Sequence, residues 1–229
     1  MAAYDLEEQE RIDALKDWWD KWGNWVYAAV AVFFVVVAGS QLWKNYQGKQ
    51  HEEAEVLFKS VTKASQDSIA AKDPKKLTEA AALMADKYPK SFQATEARLM
   101  AAKSEFDAGK LDEAAKHLQW VVDNGRDAFR PVARVRLAQV FLDQKKFDEA
   151  LKQLDQVKDA GFLSLAADAR GDVLTAQGKK AEARAAYELA VEKADERSPV
   201  KFVAQAKLDA LGGSTKPPAA KDDAKDKKS

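Results

Sequence analysis

The chain has 229 residues, 37 of them basic and 37 acidic, with two histidines and no cysteine. A balanced charge with no basic stripe argues against a nucleic-acid partner. The absence of cysteine excludes structural disulfides, thiolate metal ligands and a cysteine nucleophile.

Residues 1–21 form an acidic tail, with seven acids against three bases. Leu6, Ile12, Leu15, Trp18, Trp19 and Trp22 recur at near-helical spacing. That spacing fits either an amphipathic helix at a membrane interface or a solvated helical lead-in.

Residues 22–43 carry no charge and are bracketed by Lys21 and Lys44. At about 1.5 Å per residue they span roughly 33 Å as a helix, enough for a hydrocarbon core of about 30 Å. Trp22 and Trp25 stand at one end, Trp43 and Tyr46 at the other, where their amphipathic rings settle at headgroup level. The stretch is rich in Val and Phe, yet in lipid the backbone must satisfy itself, so a lone segment becomes a helix. Membrane lipid is therefore its expected surroundings. A core helix would be amphipathic or shorter. Val37-Ala38-Gly39-Ser40 loosely resembles a signal cleavage site, but a signal peptide has a basic start and this one is acidic. Three bases precede the span and four (Lys44, Lys49, Lys59, Lys63) follow it, so charge does not set its orientation.

Residues 44–90 are expected as a juxtamembrane helical pair. After Gln47-Gly48 the chain turns polar, and Ala54, Leu57, Phe58, Val61, Ala64 and Ile69 form one stripe. Asp73-Pro74 ends that helix, because proline disfavours helical geometry in the residue before it and suits a first turn. A second helix runs to Tyr88, with Leu77, Ala80, Ala81, Leu83, Met84 and Tyr88 on its apolar side, and Pro89 stops it.

Residues 91–211 repeat. Three segments, Thr95–Asn124, Pro131–Asp159 and Ser164–Ala194, align on Ala114, Ala150 and Ala183. Ala102, Ala138 and Gly171 come before these anchors, and Leu118, Leu154 and Tyr187 follow them. Small residues belong where two helices cross closely, and larger apolar ones four positions on fill the gap to the next pair. One hairpin cannot bury its apolar face alone, so such pairs stack into a solenoid. Ser198-Pro199 starts a closing helix, with Phe202, Val203, Ala206 and Leu208 available to cap the stack. Residues 212–229 hold no apolar residue larger than Ala and are expected to be disordered. The fold class is thus all-α: one N-terminal transmembrane helix, then a solenoid of helix hairpins.

The opening, Tyr4 to Gly23, couples DLEEQE to a Trp-rich membrane boundary. Together with the span and the repeats, it resembles the YfgM family, ancillary subunits of the Sec translocon in Gram-negative bacteria. The helix pairs resemble tetratricopeptide repeats at their small positions. They depart from them where Arg98, Arg134 and Ala167 replace the usual tryptophan, and where Leu118 and Leu154 replace an aromatic. The resemblance implies an inner-membrane protein with a cytoplasmic N-terminus and a periplasmic repeat domain. It also implies association with the SecYEG channel and the periplasmic chaperone PpiD, and help to secreted polypeptides leaving the channel.

No catalytic, cofactor or metal constellation stands out. His51 and His117 lack local partners in a metal or triad pattern and are expected to be solvated. The many carboxylates read as solvated helix faces. Binding suits this chain better than chemistry. The first helix of each pair should line the concave face of a solenoid, with Leu99, Met100, Lys103 and Phe106 from one repeat and Val135, Arg136, Gln139 and Leu142 from the next; the alternative is that several of these belong to the core. Mixed apolar and basic groups suit an extended peptide or a partner helix. Two other functions compete with a Sec-associated module: a scaffold for another cell-envelope assembly, and an enzyme.

Overall fold

The computed structural model describes residues 2–71 and 73–212, with side chains from residue 10 onward. The Leu6 side chain and the segment 213–229, expected as a disordered tail, lie outside the described residues. Every described element is helical: α1 (Ala2–Ala71), α2 (Lys75–Lys87), α3 (Phe92–Asp107), α4 (Leu111–Asn124), α5 (Arg130–Asp143), α6 (Phe147–Asp155), α7 (Leu163–Ala176), α8 (Lys180–Lys193) and α9 (Pro199–Ala210). Short 3₁₀ turns, Asp127–Phe129 and Ala160–Phe162, lead into α5 and α7. The chain divides after Glu53 into two units.

In the first unit, α1 holds the one described stretch long and apolar enough to cross a membrane, and its apolar window is entirely uncovered. Phe33, Phe34, Val35 and Val36 are 63 to 71% exposed. A core helix would have covered them, so that alternative fails. The Ser40 hydroxyl donates to the Val37 carbonyl at 2.8 Å, which satisfies it within its own helix. The sequence suggested a change after Gln47-Gly48, yet α1 runs through Gly39 and Gly48 unbroken. Single glycines weaken a helix by only about 1 kcal/mol, too little to stop one this long.

In the second unit, each helix from α2 to α9 packs on the next, and α7 also meets α5 and α9. Ala54 and Val61 of α1 join Leu77, Ala81 and Met84 of α2 in one core. Ile69, expected on that stripe, is 75% exposed, and Ser68 is buried instead, bonded to Ser104 at 2.8 Å. The anchors Ala114, Ala150 and Ala183 are fully buried, as are the larger Leu137, Val121 and Val173. Burying each such Val or Leu side chain contributes roughly 1.5–3 kcal/mol.

The three hairpin turns share one geometry. Gly109 and Gly178 sit at φ +73° and +75°, and Lys145 stands between them at φ +60°. In each turn the next N–H reaches back to the third-last helical carbonyl: Lys110 to Glu105, Lys146 to Phe141 and Lys179 to Leu174, at 2.8 to 2.9 Å.

The closing helix uses a different stripe from the expected one. Ala204 and Leu208 are buried, with Leu211 packed beside Leu208. Phe202 and Val203 stay largely exposed, and Ala206 is exposed as well. Ser198 caps its start, accepting from Val200 N–H at 3.3 Å.

Candidate protein-binding site

Five of the eight expected binding residues line one cavity. Leu99, Lys103 and Phe106 lie four and three apart on one face of α3, which brings them into line. Arg136 and Gln139 face them from α5, and Leu118 of α4 closes the floor. The cavity holds about 270 Å³. Lys103 Nζ pairs with Asp107 at 2.7 Å. Arg136 is exposed and has no ion pair or hydrogen bond to its guanidinium among the described residues.

The other three lie elsewhere. Met100 borders a second cavity, of about 430 Å³, with Ser65, Ile69 and Leu77. Lys103 and Asp107 border both cavities. Val135 is 1% exposed and belongs to the core around Ala150, Leu154 and Val173, so no partner can touch it. One helical step turns a side chain by about 100°, and that step separates buried Val135 from exposed Arg136. Leu142 is half-buried and packs on the same core.

Behind this face, the first two repeats carry a polar pair that sequence reasoning missed. Arg98 Nη1 donates to His117 Nδ1 at 3.0 Å, and Arg134 Nη1 donates to Gln153 Oε1 at 3.0 Å. The two pairs are equivalent, each member displaced by one repeat. In the third repeat the same positions hold Ala167 and Ala186, both 5% exposed. The signal was present in the 36-residue spacing of Arg98 from Arg134 and of His117 from Gln153.

His117 therefore corrects the expectation of a solvated ring; it is 3% exposed. Burial first, then the charge of Arg98, lowers its pKa to about 4. A guanidinium only donates, so Nδ1 accepts and the neutral ring carries its proton on Nε2. Arg98 also lies 5.2 Å from the centre of the Trp120 ring, a cation–π distance. Glu105 corrects the carboxylate expectation: it is 3% exposed, accepts from the Thr78 hydroxyl and lies 3.6 Å from Lys110 Nζ. His51 is exposed.

The seam between α7 and α9 is closed by charge. Lys207 Nζ sits 2.9 Å from Asp168 and 2.8 Å from Asp172, and the Tyr187 hydroxyl donates to Asp172 at 2.8 Å. Burial pushes the Asp168 carboxyl up, against the pull of Lys207. Tyr187 fills the space over Gly171, where an added methyl group would come within 2.6 Å of ring Cζ. Among the described residues no group of three or more His, Asp or Glu is placed to hold a metal ion.

The tetratricopeptide repeat-like domain family matches residues 16–213. A Neisseria gonorrhoeae (strain ATCC 700825 / FA 1090) protein named ancillary SecYEG translocon subunit is 35% identical over 217 residues, covering 92% of this chain and 100% of its own. An Escherichia coli (strain K12) protein of the same name is 27% identical over 199 residues, covering 83% and 90%. One from Haemophilus influenzae (strain ATCC 51907 / DSM 11121 / KW20 / Rd) is 25% identical over 188 residues, covering 82% and 90%. A crystal structure of nearly identical TPR-like repeats from Podosopora anserina shares the fold at a TM-score of 0.51, with 16% identity over 69% of this chain and 85% of its own. The long exposed apolar helix, the stacked hairpins with their buried alanine anchors and this likeness along nearly the whole length agree: the chain belongs to the YfgM family, whose curated members are named ancillary SecYEG translocon subunits.

Proposed function

We propose that the chain is a non-catalytic ancillary subunit of the Sec protein channel, held in the inner membrane by residues 22–43. The observation that carries this reading is the 35% identity to the Neisseria relative across that protein's full length. The uncovered apolar stretch of α1 supports it, since such a surface is stable only against lipid or another protein.

In this reading residues 1–21 are cytoplasmic and the hairpins beyond residue 43 are periplasmic. Residues 44–90 form the juxtamembrane part and 91–211 the interaction domain. Anchoring raises the local concentration of the domain at the channel exit, so weak contacts suffice. The α3–α5 cavity offers mixed apolar and basic groups to PpiD or to secreted chains as they emerge.

Photo-crosslinkers placed at Trp25 and at Phe106 in native membranes test the assignment. The first should capture channel subunits, and the second PpiD or a secreted chain in transit. Capture of neither, with other envelope proteins recovered instead, would move the protein to a different assembly.

A further inference from the structure

First helices meet at three seams: α5 and α7 share an apolar core of Val135, Ala138, Ala169 and Val173, α7 is tied to α9 by charge, and α3 and α5 border a cavity. Between α7 and α9, Lys207 is gripped by Asp168 and Asp172. Those acids stand at the repeat positions of Leu99 and Lys103. Between α3 and α5 the chemistry is inverted and unfinished: Lys103 faces Arg136 across an apolar cavity, and Asp107 neutralises Lys103 alone. Phe106 is 38% exposed at its rim.

We propose that this furrow docks a polypeptide segment that carries an apolar side chain beside an acidic one. The apolar group enters between Leu99, Phe106 and Leu118, and the carboxylate pairs with Arg136. Gln139, one turn further along α5, presents an amide to the segment's backbone. The acid belongs to a side chain and not to a chain end. Lys103 and Asp107 also border the second cavity, with Met100 and Ile69, so an extended segment crosses α3 there and continues. This inference rests on the interaction domain proposed above and names the chemistry of its partner.

The test uses the full chain in nanodiscs and short labelled peptides, amidated at the C-terminus, with Phe-Glu in a Gly-Ser background. Replacing Glu by Gln or Lys should weaken binding up to about fivefold, the upper end for a solvent-accessible ion pair, and replacing Phe by Ala should weaken it at least as much through lost apolar burial. Arg136→Glu should invert the preference towards Phe-Lys while circular dichroism stays unchanged, since the residue is exposed. Equal binding of the Glu, Gln and Lys peptides overturns the acidic partner but leaves the furrow as a docking surface. A Phe-Gln peptide with a free C-terminus that matches amidated Phe-Glu overturns the side-chain assignment. Failure of every peptide to bind removes the furrow itself, while crosslinking at Trp25 judges the channel association separately.

Discussion

The first and third helix pairs are built on one frame and filled with opposite chemistry. α3 and α4 hold Arg98 against His117, and Ala102 in one core with Leu118. α7 and α8 put Ala167 and Ala186 at the first two of those places, and Gly171 under Tyr187 at the others. The positions change together. A guanidinium without its acceptor would leave a buried donor unpaired, and a tyrosine over alanine would overlap it. A stack of hairpins thus tolerates different side chains so long as each contact pair is exchanged as a unit. The charged face of the third repeat is closed on α9, and that of the first is not.

The largest effect expected from this difference is the pH dependence that His117 gives the first repeat. His117 has a folded pKa of about 4 against an ordinary 6.5. Between those values the unfolded chain binds the proton and the folded chain does not, so stability is full above pH 6.5 and falls as pH drops towards 4. The loss amounts to about 3 kcal/mol. His117→Gln, which copies Gln153, should keep the Arg98 hydrogen bond and remove most of that slope. Urea unfolding of both proteins at several pH values measures it, and identical slopes would refute the buried neutral ring.

A smaller effect is expected at the crossing of α7 and α8. Gly171→Ala should cost about 1–3 kcal/mol by overpacking against Tyr187. Adding Tyr187→Leu, which copies Leu154, should recover part of it, a coupling that a double-mutant cycle reads directly. Strictly additive changes would mean that the two positions do not share their space. The smallest effect belongs to the turns. Lys145→Gly should stabilise the chain by about 1 kcal/mol, because a side chain at φ +60° is strained where Gly109 and Gly178 are not. An unchanged or lower thermal midpoint would count against that reading.

The helices, the stacked pairs and the alanine anchors were legible because they recur at fixed spacing, and burial follows that spacing. What escaped depends on partners far along the chain. His117 looks solvated beside Lys116, and only Arg98, nineteen residues earlier, makes it a core residue. Spacing alone does not separate Val135 from its neighbour Arg136, but a first helix meets its own partner and the next pair, so its covered stripe is wide. In α9 both stripes are apolar. Nothing local separates Phe202 and Val203 from Ala204 and Leu208; the choice is made by α7 and α8. The furrow was five-eighths legible for the opposite reason, since its residues follow helical spacing on α3 and α5.

The most direct measurement is the set of proteins recovered with the tagged full chain from mildly solubilised native membranes. The expected result is enrichment of the SecYEG subunits with the unaltered chain and its loss in Val35→Arg, since an arginine at mid-span costs about 2.5–3.5 kcal/mol of insertion. Recovery of the unaltered chain in a salt wash of the membranes, or from detergent without any Sec subunit, would contradict an anchored companion of that channel.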